Sequence, residues 1–233
     1  KHGSGRPPAP PDAPPGRAMS DSEGEARQAA DDEADHGRSG ESKASKDAPA
    51  DRKEAMMEVF QANGITEADM NKPERVTHIE VVMDEYCSLK ALRYFHNLKS
   101  LAFVQQAISK IEGLMDCTQL EVLLLNENCI EKIEGLSTLH RLKKLYLCTN
   151  RIKEIGNGLE GLRSLEVLWI AENQLPDLKG LRAAPNLTEL NAARNQIVTC
   201  VRAFERNLKI TTLNLSDNRM CSFREVLDLA RLR

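Results

Sequence analysis

The chain has 233 residues and a formal net charge of -3, with 41% hydrophobic and 4% aromatic residues. Residues 1–55 contain no Leu, Ile, Val, Phe, Tyr or Trp, although they hold 7 of the 10 prolines and 21 charged residues. A segment of this composition cannot build a hydrophobic core. The remaining residues carry equal numbers of basic and acidic side chains, which argues against a nucleic-acid binder driven by bulk positive charge.

We predict that residues 1–50 form a disordered, acidic and Pro-rich tail. No stretch of the chain approaches the roughly 18 consecutive apolar residues of a membrane-spanning helix. The amino terminus is polar and lacks the apolar segment of a secretory signal. The sequence therefore favours neither a membrane protein nor a secreted one.

The six cysteines form no C-x-x-C pair and have no histidine at ligand spacing, so the sequence indicates neither a zinc site nor a redox motif. We expect free thiols in the reducing cytoplasm. The chain also lacks a Gly-rich phosphate loop, a nucleophile elbow and an H-E-x-x-H motif. These observations favour a protein without catalytic activity, cofactor, metal or small-molecule substrate.

Residues 51–75 are predicted to form an amino-terminal helical cap. Asp51 followed by Glu54 is typical of a helix start, and Met56, Val59 and Phe60 fall at i, i+3 and i+4. The apolar side of this short helix is placed to cover the end of the segment that follows.

Residues 76–233 repeat one template, L-x-x-L-x-L-x-x-N-x-I-x-x-I, about seven times at intervals of 22 or 23 residues. The instances begin at Val76, Leu98, Leu120, Leu142, Leu165, Leu187 and Ile210. Leu232 lies where an eighth would begin, so we expect the array to be truncated here and the natural protein to continue beyond Arg233.

Each repeat is too short to bury its own apolar side, so the repeats must stack. Positions 4 and 6 alternate as in a strand and point inward, while the residues after the turn return along the back. The asparagine at position 9 is expected to bond backbone groups that the turn would otherwise leave buried and unpaired. The predicted fold is an α/β solenoid with parallel strands on the concave face and short helical or 3-10 segments on the convex face.

The template resembles the leucine-rich repeat, and its 22-residue period resembles the class typified by the regulatory subunit of protein phosphatase 1. The resemblance is carried by residues 129–136, 144–147, 165–170 and 213–218. It implies a scaffold or adaptor that binds a protein partner in the cytoplasm, and in ciliated cells in particular. Two alternatives within the resemblance are a phosphatase-1 regulatory subunit and a spliceosomal A-prime-like repeat protein.

Repeat positions 3, 5, 7 and 8 point away from the core onto the concave face, where they are free to vary. In the middle repeats these positions are apolar and aromatic with a charged margin, which is typical of interface hot spots. The alternative is that the aromatic residues only pack on each other. The predicted partner-binding residues are Val104, Val122, Leu124, Glu127, Lys144, Tyr146, Val167, Trp169, Glu172 and Arg194.

Overall fold

The computed structural model of the chain describes residue 57, residues 72–82 and residues 89–221. All of them belong to one of the two units into which the chain divides, residues 46–233. The predicted tail and the cap residues Met56, Val59 and Phe60 lie outside the described residues. The domain boundaries at residues 50 and 75 therefore stay predictions.

The repeats form a single parallel sheet of seven described strands, which pair in chain order without a crossover. The strands are short because each repeat contributes only the residues around its positions 3 to 5. They are β1 (His78–Val82), β2 (Ser100–Val104), β3 (Val122–Leu124), β4 (Lys144–Tyr146), β5 (Val167–Trp169), β6 (Glu189–Asn191) and β7 (Thr212–Asn214). The predicted parallel-strand solenoid is confirmed.

The strands alternate between the core and the concave face, as their sequence pattern predicts. In β4, Leu145 is buried between Lys144 and Tyr146, which face outward. Residues at the same repeat position pair directly, so that Leu123 lies beside Leu145, and Leu145 beside Leu168. Each fully buried leucine contributes about 1.5–3 kcal/mol relative to an exposed one, and the core extends from repeat to repeat through these contacts.

The return segments on the convex side are short and irregular. Single 3-10 turns occupy Pro73–Arg75, Lys90–Tyr94 and Leu181–Ala183. The other described repeats turn through i to i+3 backbone hydrogen bonds, such as Leu139 N–H to Leu136 O. A period of 22 residues leaves too few residues for a longer helix after the strand and its turn.

The predicted asparagine ladder is confirmed, because each position-9 amide bonds the backbone of its own repeat and of the preceding one. Asn150 accepts from the Ile130 N–H through Oδ1 at 3.0 Å. Its Nδ2 donates to the carbonyls of Leu125 at 2.8 Å and Leu147 at 3.1 Å. The same arrangement recurs at Asn128, Asn173, Asn195 and Asn218. These side chains satisfy polar backbone groups inside the solenoid.

The residue before each asparagine has a left-handed backbone, although none of these residues is glycine. Thr149 has a φ of 57°, and a β-branched side chain is disfavoured there. Its five equivalents with positive φ are Gln105, Glu127, Glu172, Arg194 and Asp217.

We expect Thr149→Asn to raise the free energy of unfolding by about 1 kcal/mol, because asparagine tolerates the left-handed region better than threonine. Chemical denaturation followed by circular dichroism measures the change. Thr211→Asn is the matched control, since Thr211 is also exposed and is not among the described residues with positive φ. A stability gain at Thr211 as large as at Thr149 would contradict the backbone explanation.

Candidate functional site

The predicted partner-binding residues occupy adjacent rows of the concave face. Position 3 forms one row, in which Val122, Lys144 and Val167 are paired in register. Position 5 forms the next, in which Leu124, Tyr146 and Trp169 are paired. The structure therefore brings these six residues together on β3, β4 and β5. We call them the central patch.

Val104 lies further away than the sequence suggested. It ends β2, where it pairs with Val82 of β1, and two strands separate it from Trp169. Neighbouring strands lie about 4.8 Å apart, so Val104 belongs to the margin of the face rather than to the central patch.

Tyr146 and Trp169 form an edge-to-face pair at the middle of the central patch. Their ring centroids are 5.1 Å apart and the ring planes meet at 88°, which is a favoured geometry for two aromatic rings. Trp169 nevertheless remains 36% exposed. Packing between the two rings, the alternative considered from sequence, is confirmed, and it leaves part of the indole facing solvent.

Glu189 of β6 holds the aromatic pair from the neighbouring repeat. Its Oε1 accepts a hydrogen bond of 2.7 Å from the indole Nε1 of Trp169. Burial, and to a smaller extent the negative charge of Glu189, raises the pKa of the Tyr146 hydroxyl. One carboxylate therefore lies near the polar groups of both rings. Sequence analysis had not included Glu189 among the partner-binding residues.

Position 8 forms a charged row beside the central patch, which we call the polar rim. Arg194 joins Glu172 at 2.7 Å and Asp217 at 3.4 Å, and these two contacts raise the pKa of its guanidinium. The hydroxyl of Thr149 donates to the other oxygen of Glu172 at 3.1 Å. Three repeats beyond β4 are thus linked by side-chain contacts at the edge of the face.

The polar rim begins at Glu127, whose Oε2 accepts a hydrogen bond from the side-chain amide of Gln105. Gln105 is neutral, so this contact leaves the negative charge of Glu127 uncompensated. On the opposite side of the central patch, Lys144 is exposed at position 3 of β4. The predicted site residues Glu127, Lys144, Glu172 and Arg194 therefore surround the apolar residues, as expected.

Cys148 lies at position 7, between the central patch and the polar rim. Burial raises the pKa of its thiol, which lowers the fraction of reactive thiolate at neutral pH. Its backbone N–H donates to Oδ1 of Asn126 at 2.8 Å. These features favour a small packing residue rather than a nucleophile.

A second concavity of about 550 Å³ lies on the convex side. It is lined by the return segments of the repeats that begin at Leu142, Leu165 and Leu187. The middle repeat has 22 residues and its two neighbours have 23, so its shorter return segment lies at the floor of the groove. Its charged lining includes two ion pairs, Lys179 with Asp177 at 2.8 Å and Arg202 with Glu205 at 3.7 Å.

No cluster of His, Cys, Asp and Glu suited to a metal ion occurs within residues 72–82 and 89–221. In the same part of the chain, no helix has the length and apolar character needed to cross a membrane.

Comparisons with solved structures find the same architecture. An internalin (inlF) from Listeria monocytogenes superposes with a TM-score of 0.56 at 22% identity, over 68% of this chain and 53% of that one. The internalin C2 (inlC2) of the same bacterium gives 0.52 at 23%, over 74% and 87%. A leucine-rich repeat protein of Leptospira interrogans gives 0.58 at 17%, over 74% and 57%. At these identities the likeness concerns the fold alone.

The chain spans about half the length of the internalin (inlF) structure, with 53% of that chain covered. No curated protein sequence matches it. A family model described as a leucine-rich repeat matches residues 106–228, which is more than half of the chain. Together with the stacked parallel strands and the asparagine ladder, this match shows that the chain belongs to the leucine-rich repeat family.

Proposed function

We propose that the chain is a non-catalytic scaffold or adaptor that binds a protein partner on the concave face of β3 to β6. Leucine-rich repeat domains generally serve as protein-binding scaffolds, and no enzymatic family is indicated. The observation that carries the proposal is the partly exposed Trp169 at the centre of the face. It is supported on one side by Tyr146 and bonded on the other to Glu189.

The arrangement around Trp169 suits binding because the ring is already ordered. Its contacts with Tyr146 and Glu189 restrict the side chain before any partner arrives, so less conformational entropy is lost on association. Tryptophan and tyrosine at the centre of a patch with a polar margin are the residues that most often dominate interface energies. Seven strands about 4.8 Å apart give a face on the order of 30 Å long, enough for a helix or a small domain.

The resemblance noted from sequence points to a more specific role. Residues 58–233 resemble the amino-terminal repeat block of leucine-rich repeat-containing protein nine, a large multi-repeat protein associated with ciliated cells. We propose on this basis a cytoplasmic scaffold that acts in cilia or axonemes. The partner is a protein, and the neutral net charge of residues 56–233 favours no direct contact with nucleic acid.

A second candidate is a regulatory subunit of a phosphatase-1-type enzyme. It is favoured by the combination of Tyr146 and Trp169 with Glu127 and Glu172 on one face, because that family binds the catalytic subunit through concave acidic and aromatic residues. The apolar Val104 and the small Ala193 at position 7 depart from the pattern. A spliceosomal A-prime-like role would instead require a ribonucleoprotein partner.

Affinity capture from ciliated cells with the full chain tests the binding face. We expect the double variant Tyr146→Ala with Trp169→Ala to lose at least about 90% of a captured partner, because removing central aromatic residues costs about 2 kcal/mol or more each. The matched control is Val198→Ala with Val201→Ala, since these two exposed valines lie outside the concave rows. Circular dichroism verifies that both variants fold.

The identity of the partner separates the candidate functions. An axonemal protein supports the ciliary scaffold, a phosphatase catalytic subunit supports the second candidate, and a ribonucleoprotein supports the third. Undiminished capture by the aromatic double variant, together with loss in the valine variant, would contradict binding at the concave face.

A further inference from the structure

We infer that the concave face recognises a positively charged segment of its partner, in which an arginine or lysine flanked by apolar residues meets Trp169 and the carboxylates around it. The inference rests on the proposed function, since it names the chemistry of the segment that would occupy the same face.

The first argument is the charge of the face. On β3 to β7 the concave positions carry four carboxylates and two cations, a net charge of -2. Arg194 lies between Glu172 and Asp217 and neutralises only one of them. Glu127 and Glu189 accept hydrogen bonds from the neutral donors Gln105 and Trp169, which leave their charge in place. Complementary charge on a partner is therefore positive.

The second argument is the position of the two uncompensated carboxylates. Glu189 lies on β6, next to the indole of Trp169, and Glu127 lies on the polar rim after β3. Together they lie on opposite sides of the Tyr146 and Trp169 pair. A cation that reaches the exposed part of Trp169 gains both the attraction of these carboxylates and an interaction with the ring.

The third argument is that Glu189 is already oriented. Its Oε1 is fixed by the indole N–H at 2.7 Å, and Oε2 has no contact given within the described residues. Arginine would suit this position better than lysine, because its planar guanidinium can stack on an aromatic ring while donating to a carboxylate. The exposed Lys144 on the far side of the central patch would repel a second cation there, which favours a single register for the partner.

A peptide titration tests the charge preference. Trp169 is the only tryptophan in the chain, so its fluorescence reports binding at this face if the peptides lack tryptophan and tyrosine. The probes are three 15-residue peptides with the same leucine and alanine framework, which carry arginine, citrulline or glutamate at the same three positions. Citrulline keeps the shape of arginine and removes its charge.

We expect the arginine peptide to bind about 10-fold more tightly than the citrulline peptide, and the glutamate peptide more weakly than both. In the full-length double variant Glu127→Gln with Glu189→Gln, the preference for arginine should fall below about 3-fold. The glutamine amide oxygen can still accept from Trp169, which keeps the ring in place. The control Glu154→Gln with Glu160→Gln changes the net charge equally on the other side of the chain and should retain the preference.

Equal affinities for the arginine and citrulline peptides would overturn the inference and leave concave binding intact, because Trp169 would still report the complex. Unchanged discrimination in the Glu127 and Glu189 variant would overturn it as well. Fluorescence that responds to none of the peptides would also overturn it, whereas the capture experiment with the aromatic double variant tests the proposed function separately.

Discussion

Asn150→Ala should lower the free energy of unfolding by about 3 kcal/mol, since it leaves several buried backbone groups without partners. The lost bonds are those to the Ile130 N–H and to the carbonyls of Leu125 and Leu147. Water has little access, because Asn150 is only 8% exposed. Chemical denaturation followed by far-ultraviolet circular dichroism measures the loss.

The matched control for this substitution is Asn157→Ala. Asn157 is exposed on the convex side, and its removal should change the free energy of unfolding by less than about 0.5 kcal/mol. Similar losses at Asn150 and Asn157 would show that the asparagine ladder does not stabilise the solenoid as we describe.

Gly161→Ala is expected to cost about 3 kcal/mol or more, for two reasons. Gly161 has a φ of 89°, where a side chain adds strain of about 1–2 kcal/mol. A Cβ built at this position would also lie 2.1 Å from the carbonyl oxygen of Ser137 in the preceding repeat. The backbone of one repeat would have to move away from the other, which costs a further 1–3 kcal/mol or so.

Gly156→Ala separates the two reasons. Gly156 also has a positive φ, 52°, but the nearest heavy atom to its Cβ position is the Glu154 Cδ at 3.8 Å. We expect a loss of about 1 kcal/mol there, from backbone strain alone. Thermal unfolding of both variants compares them, and equal losses would mean that close contact between repeats is not what requires glycine at position 161.

The repeat architecture could be predicted from sequence because its determinants recur with a fixed period. One period places each inward leucine, each concave residue and each asparagine, so an error in one repeat is corrected by the others. The Glu-Gly-Leu turns followed in the same way, and Gly113, Gly135 and Gly161 indeed have positive φ. The strands pair in the register that the period implies.

The left-handed residues before the asparagines were not predicted, because the sequence carries no signal for them. Glycine or asparagine would have indicated a positive φ, but the positions hold residues as different as Thr149 and Arg194. The geometry is imposed by the turn that each repeat makes after its strand, whatever residue occupies it. The convex groove was missed for a related reason, since one additional residue in a repeat does not reveal where the chain accommodates it.

The rows of the central patch could be predicted, whereas the contacts inside it could not. Period-2 alternation places Tyr146 and Trp169 side by side, and the structure adds that their rings are perpendicular. The bond from Trp169 to Glu189 joins position 5 of one repeat to position 3 of the next. Such a diagonal contact depends on side-chain rotamers rather than on the period, so the role of Glu189 became visible only in the structure.

Site-specific photo-cross-linking tests most directly whether the concave face is the binding surface. A photoreactive phenylalanine derivative replaces Lys144, which is exposed beside the aromatic pair, in one full-length variant and Val201, which lines the convex groove, in another. We predict that the partner captured by the wild-type chain cross-links from position 144 and not from position 201. A cross-link from position 201 with none from position 144 would contradict the concave face as the site of recognition.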